Sequence, residues 1–188
     1  MEQYRKSPRA RHIDYNDGVF FVTGVTLGRR HFFGVIYDEI MHCSDIGKIL
    51  ECELSNPNIH HSHIEIPQFV VMPNHFHAIV IVKSDEGKNL PESRDDRCLQ
   101  GYKEAINAGN CNSSTVPLLG RYLGSMKSAV ARMARLHNPI FGWQGRFHDH
   151  AIRNTAEANM INEYIETNVV KWDIDCFNNK NKRLREEV

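Results

Sequence analysis

The sequence predicts an α+β domain, an antiparallel sheet with helices packed mainly on one face, in the ferredoxin-like or RRM-like split arrangement. Three observations carry this. Residues 64–71 and 75–82 are runs of β-branched and aromatic residues separated only by a turn through Pro73-Asn74, so they read as paired strands. Further strand-like runs lie near the start, at Phe20–Leu27, and late, over 142–153. Between them fall stretches of helical periodicity. A chain of 188 residues suffices for one well-buried domain, so 1–188 is expected to be a single unit, with its core over about residues 15–172.

The elements follow in order. Phe20-Phe21-Val22-Thr23-Gly24-Val25-Thr26-Leu27 forms the first strand, and Gly24 within it marks a bulge or a close backbone approach. Gly28-Arg29-Arg30 makes a turn. Tyr37–Leu54 reads as a helix of imperfect period, weakened by Gly47 and stopped by Asn56-Pro57-Asn58. The two paired strands come next. Residues 84–116 mix charges with Gly, Asn and Ser and show little periodicity, as a loop insertion would; 96–107 could hold a short helix. Leu118–His137 is an amphipathic helix with Leu119, Leu123, Met126, Val130 and Met133 on one stripe. Arg121, Ser128, Arg132 and Arg135 lie opposite. Asn138-Pro139 ends it, and 142–153 forms a turn and a last strand. Asn154, followed by Glu157, is a capping box that opens a final helix reaching Asn168. The polar tail, 178–188, is expected to fray. There is no internal repeat.

Composition narrows the setting. No apolar run is long enough for a membrane span, and the N-terminus leads into no signal-peptide core. Five cysteines (43, 52, 98, 111 and 176) form no CxxC pair, and an odd count points to reduced thiols and a cytoplasmic location. Net charge is zero, with 23 basic and 23 acidic residues, which alone would argue against a nucleic-acid partner. Their distribution argues the other way. Arg121, Lys127, Arg132, Arg135, Arg146 and Arg153 face a single acid, Asp149, over 117–153, and Arg5, Lys6, Arg9 and Arg11 face only Glu2. A local positive field is what a phosphate backbone requires, so the first six are candidate DNA contacts. A solvated helix face with a basic bias is the alternative.

Chemistry concentrates in two places. His75 and His77 flank Phe76 on a strand, so their rings project from one face, about 7 Å apart at Cα. They can hold a divalent metal or simply line an open sheet face. On the last helix Ile161, Tyr164, Ile165 and Asn168 share one stripe. A tyrosine there is ordinarily core. Beside an amide oxygen, with two strand histidines elsewhere, it also fits a metal-assisted nucleophilic site. His60-His61-Ser62-His63 precedes a strand and reads as a polar loop. His148 and His150 alternate on the last strand and either meet a ligand or support the fold, and Trp143 reads as a core or hinge aromatic.

These residues carry a resemblance. Val71-Met72-Pro73-Asn74-His75-Phe76-His77 resembles the histidine–hydrophobic–histidine motif of the single-tyrosine HUH transposases of the IS200/IS605-like family, nearest to their REP-associated tyrosine branch. Trp143-Gln144-Gly145-Arg146-Phe147-His148-Asp149-His150-Ala151-Ile152-Arg153 resembles that family's second block. Tyr164-Ile165-Glu166-Thr167-Asn168 resembles its catalytic helix. The resemblance implies the HUH endonuclease fold. It also implies a transposase that nicks and rejoins single-stranded DNA, at hairpin-bearing sequences, through a 5′-phosphotyrosine. Tyr164 would be the nucleophile and His75, His77 and Asn168 the ligands of Mg²⁺ or Mn²⁺. The resemblance also implies that a homodimer is possible, in which exchange of the tyrosine helix would place Tyr164 of one subunit beside His75 and His77 of the other. Two features depart from the family: Val169 follows Asn168 where proline is usual, which changes how the helix ends and would let it run on towards Trp172, and 84–116 is long. Two other readings stand beside this one. One is a domesticated DNA-binding or regulatory protein that keeps the fold. The other is a histidine-based phosphotransferase or nucleotide hydrolase of the HIT type, disfavoured because Ile79 occupies the place of a third alternating histidine.

Overall fold

The computed structural model describes residues 13–83 and 116–178. The basic arm at Arg5, Lys6, Arg9 and Arg11, the insertion up to residue 115 and the tail from 179 fall outside them. A four-stranded antiparallel sheet contains β1 (Gly18–Thr26), β4 (Ile64–Val71), β5 (His75–Val82) and β6 (Trp143–Ala151), in the order β4-β5-β1-β6. Helix α1 (Asp45–Ser55) connects β1 to β4, and α2 (Leu118–His137) connects β5 to β6. This is the ferredoxin-like split arrangement the sequence predicts. β1 and β5 occupy the centre, and central strands covered on both sides become near-continuous apolar runs.

Alternation sorts each strand between two faces. Phe20 and Val22 of β1 and Phe76, Ala78, Val80 and Val82 of β5 face α1 and α2. There they meet Leu50 and Leu54 of α1 and Leu119, Tyr122, Leu123, Met126 and Val130 of α2 in one buried cluster. The other face carries His75 and His77. It is covered by α3 (Thr155–Thr167), which packs on β4 and β5.

Gly24 answers to both expectations made of it. The β1–β6 register shifts between Gly24 and Thr26. Gly24 also pairs with Phe76, whose ring lies so close that a Cβ on Gly24 would come within 2.2 Å of Cε1. The absent side chain is the space that the aromatic ring occupies.

Three local expectations need correction. The helix over Tyr37–Leu54 is half hairpin: β2 (Gly34–Tyr37) pairs with β3 (Ile40–Cys43). Asp38 and Glu39 turn between them at φ 50° and 59°, the left-handed pair that a two-residue hairpin turn demands. The helix starts only at Asp45, where Ser44 Oγ accepts from the Gly47 amide at 3.1 Å. Second, His60 is not a plain loop residue. Its Nε2 meets Glu53 Oε2 at 2.5 Å, and both side chains are buried. Third, α3 does not run on to Trp172. It stops at Thr167, and the chain continues in turns, with the Lys171 amide on Thr167 O and the Trp172 amide on Val169 O. They curl the chain into a 3-10 turn at Trp172–Ile174, which carries residues 175–178 back over the histidine face.

Asn154 caps α3 as expected, accepting from the Glu157 amide at 2.9 Å. The Glu157 carboxylate reaches back to the Arg153 amide rather than that of Asn154, and also to His150. Among the described residues, Cys43, Cys52 and Cys176 form no disulfide. Among the described residues no helix is long and apolar enough to cross a membrane.

The Gly24–Phe76 contact gives a direct stability test. Gly24→Ala should cost about 1–3 kcal/mol through overpacking, read as a lower urea midpoint, and Phe76→Leu in the same chain should recover part of that loss. An unchanged midpoint in the single variant would refute the close approach.

Candidate active site

His75 and His77 sit on the central strand of the sheet, 0% and 2% exposed. Their ring centroids are 4.7 Å apart. Each imidazole is fixed from behind. Asn74 donates through Nδ2 to two backbone carbonyls, Arg29 O at 3.1 Å and Phe177 O at 2.9 Å. The atom it turns to His75 is therefore its acceptor, Oδ1, which lies 2.8 Å from Nδ1. Nδ1 of His75 must carry the proton, and Nε2 keeps its lone pair. On His77, Nδ1 meets Thr23 Oγ1 at 2.7 Å, and Nε2 again faces outward. A pure acceptor on the far nitrogen, as at His75, sets the tautomer of a ligating or accepting imidazole, while the Thr23 hydroxyl fixes the orientation of the His77 ring.

Burial lowers the pKa of His75 well below the ordinary histidine value, with His77 as a second cause, and lowers that of His77 to about 3. Both rings are neutral and available as lone-pair donors. Phe21 stacks on His77 at 5.1 Å and supports this arrangement from β1.

Helix α3 brings Tyr164 to this pair. Its hydroxyl lies 3.2 Å from His77 Nε2, and its ring packs edge-on against Phe21. Tyr164 is 40% exposed, so the phenol borders solvent while its oxygen points inward. Burial raises its pKa and Asp175 adds to the rise, whereas a hydrogen bond from Asn168 opposes it. Asn168, one turn further on, is 2% exposed. One chain suffices for this encounter: Tyr164 meets its own His77.

Two buried atoms here have no hydrogen-bond partner, His75 Nε2 and Asn168 Oδ1. Orphaned buried acceptors are costly, and both belong to residues predicted to ligate a cation. An imidazole nitrogen pair with an amide oxygen suits Mg²⁺ or Mn²⁺ better than structural zinc. Among the described residues, no three His, Cys, Asp or Glu side chains form a ready ligand cluster. The fit therefore depends on the amide of Asn168.

The basic candidates divide. Arg121, Lys127, Arg132 and Arg135 lie on α2, which covers the sheet face opposite the imidazoles. Lys127 donates to Gln144 O at 3.0 Å and lies over the Trp143 ring, and Trp143 Nε1 donates back to Lys127 O. Burial lowers the Lys127 pKa. Arg135 Nε donates to Phe141 O. Arg121 and Arg132 are exposed. Arg146 and Arg153 are also exposed, and they flank His148 and His150 at the edge of the histidine face. Thr23 pairs with His77 on one side and His148 on the other, so these three residues form one row across the sheet.

Three contributors lie outside the predicted set. Thr23 and Asn74 orient the imidazoles. The segment Trp172–Asn178 lays Phe177 on His75, ring centroids 4.6 Å apart, and brings the Asp175 carboxylate to 4.0 Å from His75 Nε2. Asn74 stood in the motif as a turn residue, and the sequence holds a signal for its second role in its position beside His75. No periodicity or spacing places Asp175 here.

No protein-family model matches the chain. A protein of Haemophilus influenzae, described only as uncharacterized, is 29% identical over 177 residues, covering 92% of each chain. The solved structure of a REP-associated tyrosine transposase bound to a REP hairpin superposes with a TM-score of 0.50 at 23% identity, covering 91% of this chain and 74% of that one. The fold is that of this transposase.

Acid should expose the burial of the two rings. Unfolded histidines take up a proton below about pH 6.5, while the folded rings resist it. Stability is therefore complete above that pH and falls as pH drops towards the folded values, by about 1.4 kcal/mol per pH unit for each ring. Urea midpoints from pH 7 to pH 5 should fall steeply for the native chain and less steeply for His77→Gln. Parallel slopes would show that His77 is not buried and neutral.

Proposed function

We propose that this protein is a transposase of the single-tyrosine HUH type, cleaving and rejoining single-stranded DNA at hairpin-bearing sequences. One observation carries the reading: the Tyr164 hydroxyl rests 3.2 Å from the outward nitrogen of a buried, neutral imidazole pair. The motif resemblance and the shared fold support it, and the hairpin bound by the REP-associated transposase suggests the substrate class.

In this reading Tyr164 Oη attacks the scissile phosphorus, the P–O bond to the 3′ carbon's oxygen breaks, and that oxygen leaves as a 3′-OH after taking a proton from water. The product is a 5′-phosphotyrosine. The reverse step, attack by a 3′-OH, restores the tyrosine and joins the strands. Since the ester linkage is conserved throughout, no nucleotide cofactor is required.

The phenol must lose its proton, and the imidazole is a poor acceptor. A free phenol titrates near 10 and burial raises Tyr164 further, whereas His77 holds a proton only below about 3. The imidazole therefore orients the hydroxyl and does not ionise it. A divalent cation held by His75, His77 and Asn168 would supply charge relief at the phosphate and lower the cost of the phenolate. Asn168 also donates to Tyr164, which favours the ionised form. Arg146 and Arg153, with His148, offer a positive edge along which the strand would lie. The arginines of α2 serve this reading only if DNA also wraps the opposite face.

Tyr164→Phe should abolish covalent protein–DNA adducts on a hairpin-bearing single strand in Mn²⁺, while hairpin affinity stays within about twofold. Adducts that persist in the Phe variant would exclude Tyr164 as nucleophile.

A further inference from the structure

We infer that Arg29 is a positioning residue for His75: its backbone supplies, and its guanidinium holds, the two carbonyls that orient the Asn74 amide. The consequence for catalysis rests on the metal-assisted reading above. The first sign is in the backbone. Gly28 and Arg29 stand in succession at φ 65° and 54°, both in the left-handed region. Gly28 adopts it freely, whereas the Cβ of Arg29 disfavours it. Strain of this kind persists only where surrounding contacts hold it, and it gathers at functional sites. Here both flanks of the turn are tied, with the Thr26 amide on Asn74 O and the Phe32 amide on Arg30 O, each at 2.9 Å.

The strained turn presents the Arg29 carbonyl to Asn74 Nδ2, which donates to it at 3.1 Å. Nδ2 also donates to Phe177 O at 2.9 Å. That second carbonyl lies on the strap Trp172–Asn178, and the Arg29 side chain grips the strap. Its Nη1 donates to Cys176 O at 2.9 Å, and its guanidinium lies 5.0 Å from the centroid of the Phe177 ring. Its charge bears on the Asp175 carboxylate as well. One residue therefore supplies one acceptor of Asn74 Nδ2 and holds the other. With both in place, turning the amide over would set its Oδ1 against two carbonyl oxygens, so Oδ1 stays 2.8 Å from His75 Nδ1. Without them the amide can turn. Nδ2 would then donate to His75 Nδ1, the ring proton would exchange to Nε2, and the lone pair that faces the site would be lost.

The test is the His75 tautomer of the full chain at neutral pH without metal or DNA, read from long-range ¹H–¹⁵N correlations. Adduct formation on a hairpin-bearing single strand in Mn²⁺ is measured beside it. Arg29→Met keeps an unbranched side chain and removes its donors and charge. It should bring up a second His75 form, protonated on Nε2. On the metal-assisted reading it should also slow adduct formation at least about tenfold, the scale at which outer-shell partners act on a metal site. Arg29→Lys, which keeps a cationic donor for Cys176 O, should restore most of both. An Arg29→Met chain that shows the native His75 form alone overturns the proposal, as does a Lys variant as impaired as the Met one. So does a Met variant in which His77, held by Thr23, is disturbed to the same extent, which would mean a general loss of structure. If His75 takes the second form and adducts still form at the native rate, the role of Arg29 stands and the metal-assisted reading fails.

Discussion

Everything at this site depends on which nitrogen of each imidazole holds the proton. The Asn74 carbonyl oxygen decides it for His75, and the Thr23 hydroxyl holds the His77 ring from behind; both are placed by the sheet, Thr23 by its register opposite His77, Asn74 by the tight turn that enters β5. A strand buried in the middle of a sheet is a costly place for two polar rings. Their inner nitrogens are satisfied by protein and their outer ones presented to Tyr164 and Asp175, so the cost is concentrated at the functional edge. The ferredoxin-like layout makes this workable because one face of the sheet is fully occupied by the α1/α2 core. The other face is left to a single helix and a strap.

The same arrangement explains why Tyr164 is only half-buried. A nucleophile must be reachable by a DNA strand, yet its oxygen must be aimed. Phe21 packs on both the His77 and the Tyr164 rings and so registers α3 against β5 without enclosing the phenol. Ile165, buried beneath the helix, holds it down. The positive edge formed by Arg146, Arg153 and the outer face of β6 borders this opening, whereas the basic stripe of α2 faces away from it.

Much of this was legible in the sequence, for physical reasons. Strand alternation puts His75 and His77 on one face and Phe76 in the core whatever the partners are, and the 3.6-residue period puts Tyr164 and Asn168 together. The bounds of α2 followed from its stripe and from Asn138-Pro139. Tertiary relations were less legible. The hairpin at 34–43 was hidden because Val35, Ile36, Tyr37 and Ile40 suit either period over so short a span. His60 looked like a loop residue because its partner, Glu53, comes from α1. Asp175 follows the turns after the helix end at Thr167, and only the folded path returns it to the imidazoles. Lys127 and Arg135 counted as free charges in the sequence, yet in the structure they donate to backbone carbonyls near β6.

The most direct test of the account is the tautomeric state of the two imidazoles, read from long-range ¹H–¹⁵N correlations on the metal-free protein between pH 5 and 8. The account predicts both rings neutral throughout, with His75 protonated on Nδ1 and its Nε2 bare. A His75 ring protonated on Nε2, or either ring titrating within that range, would contradict it.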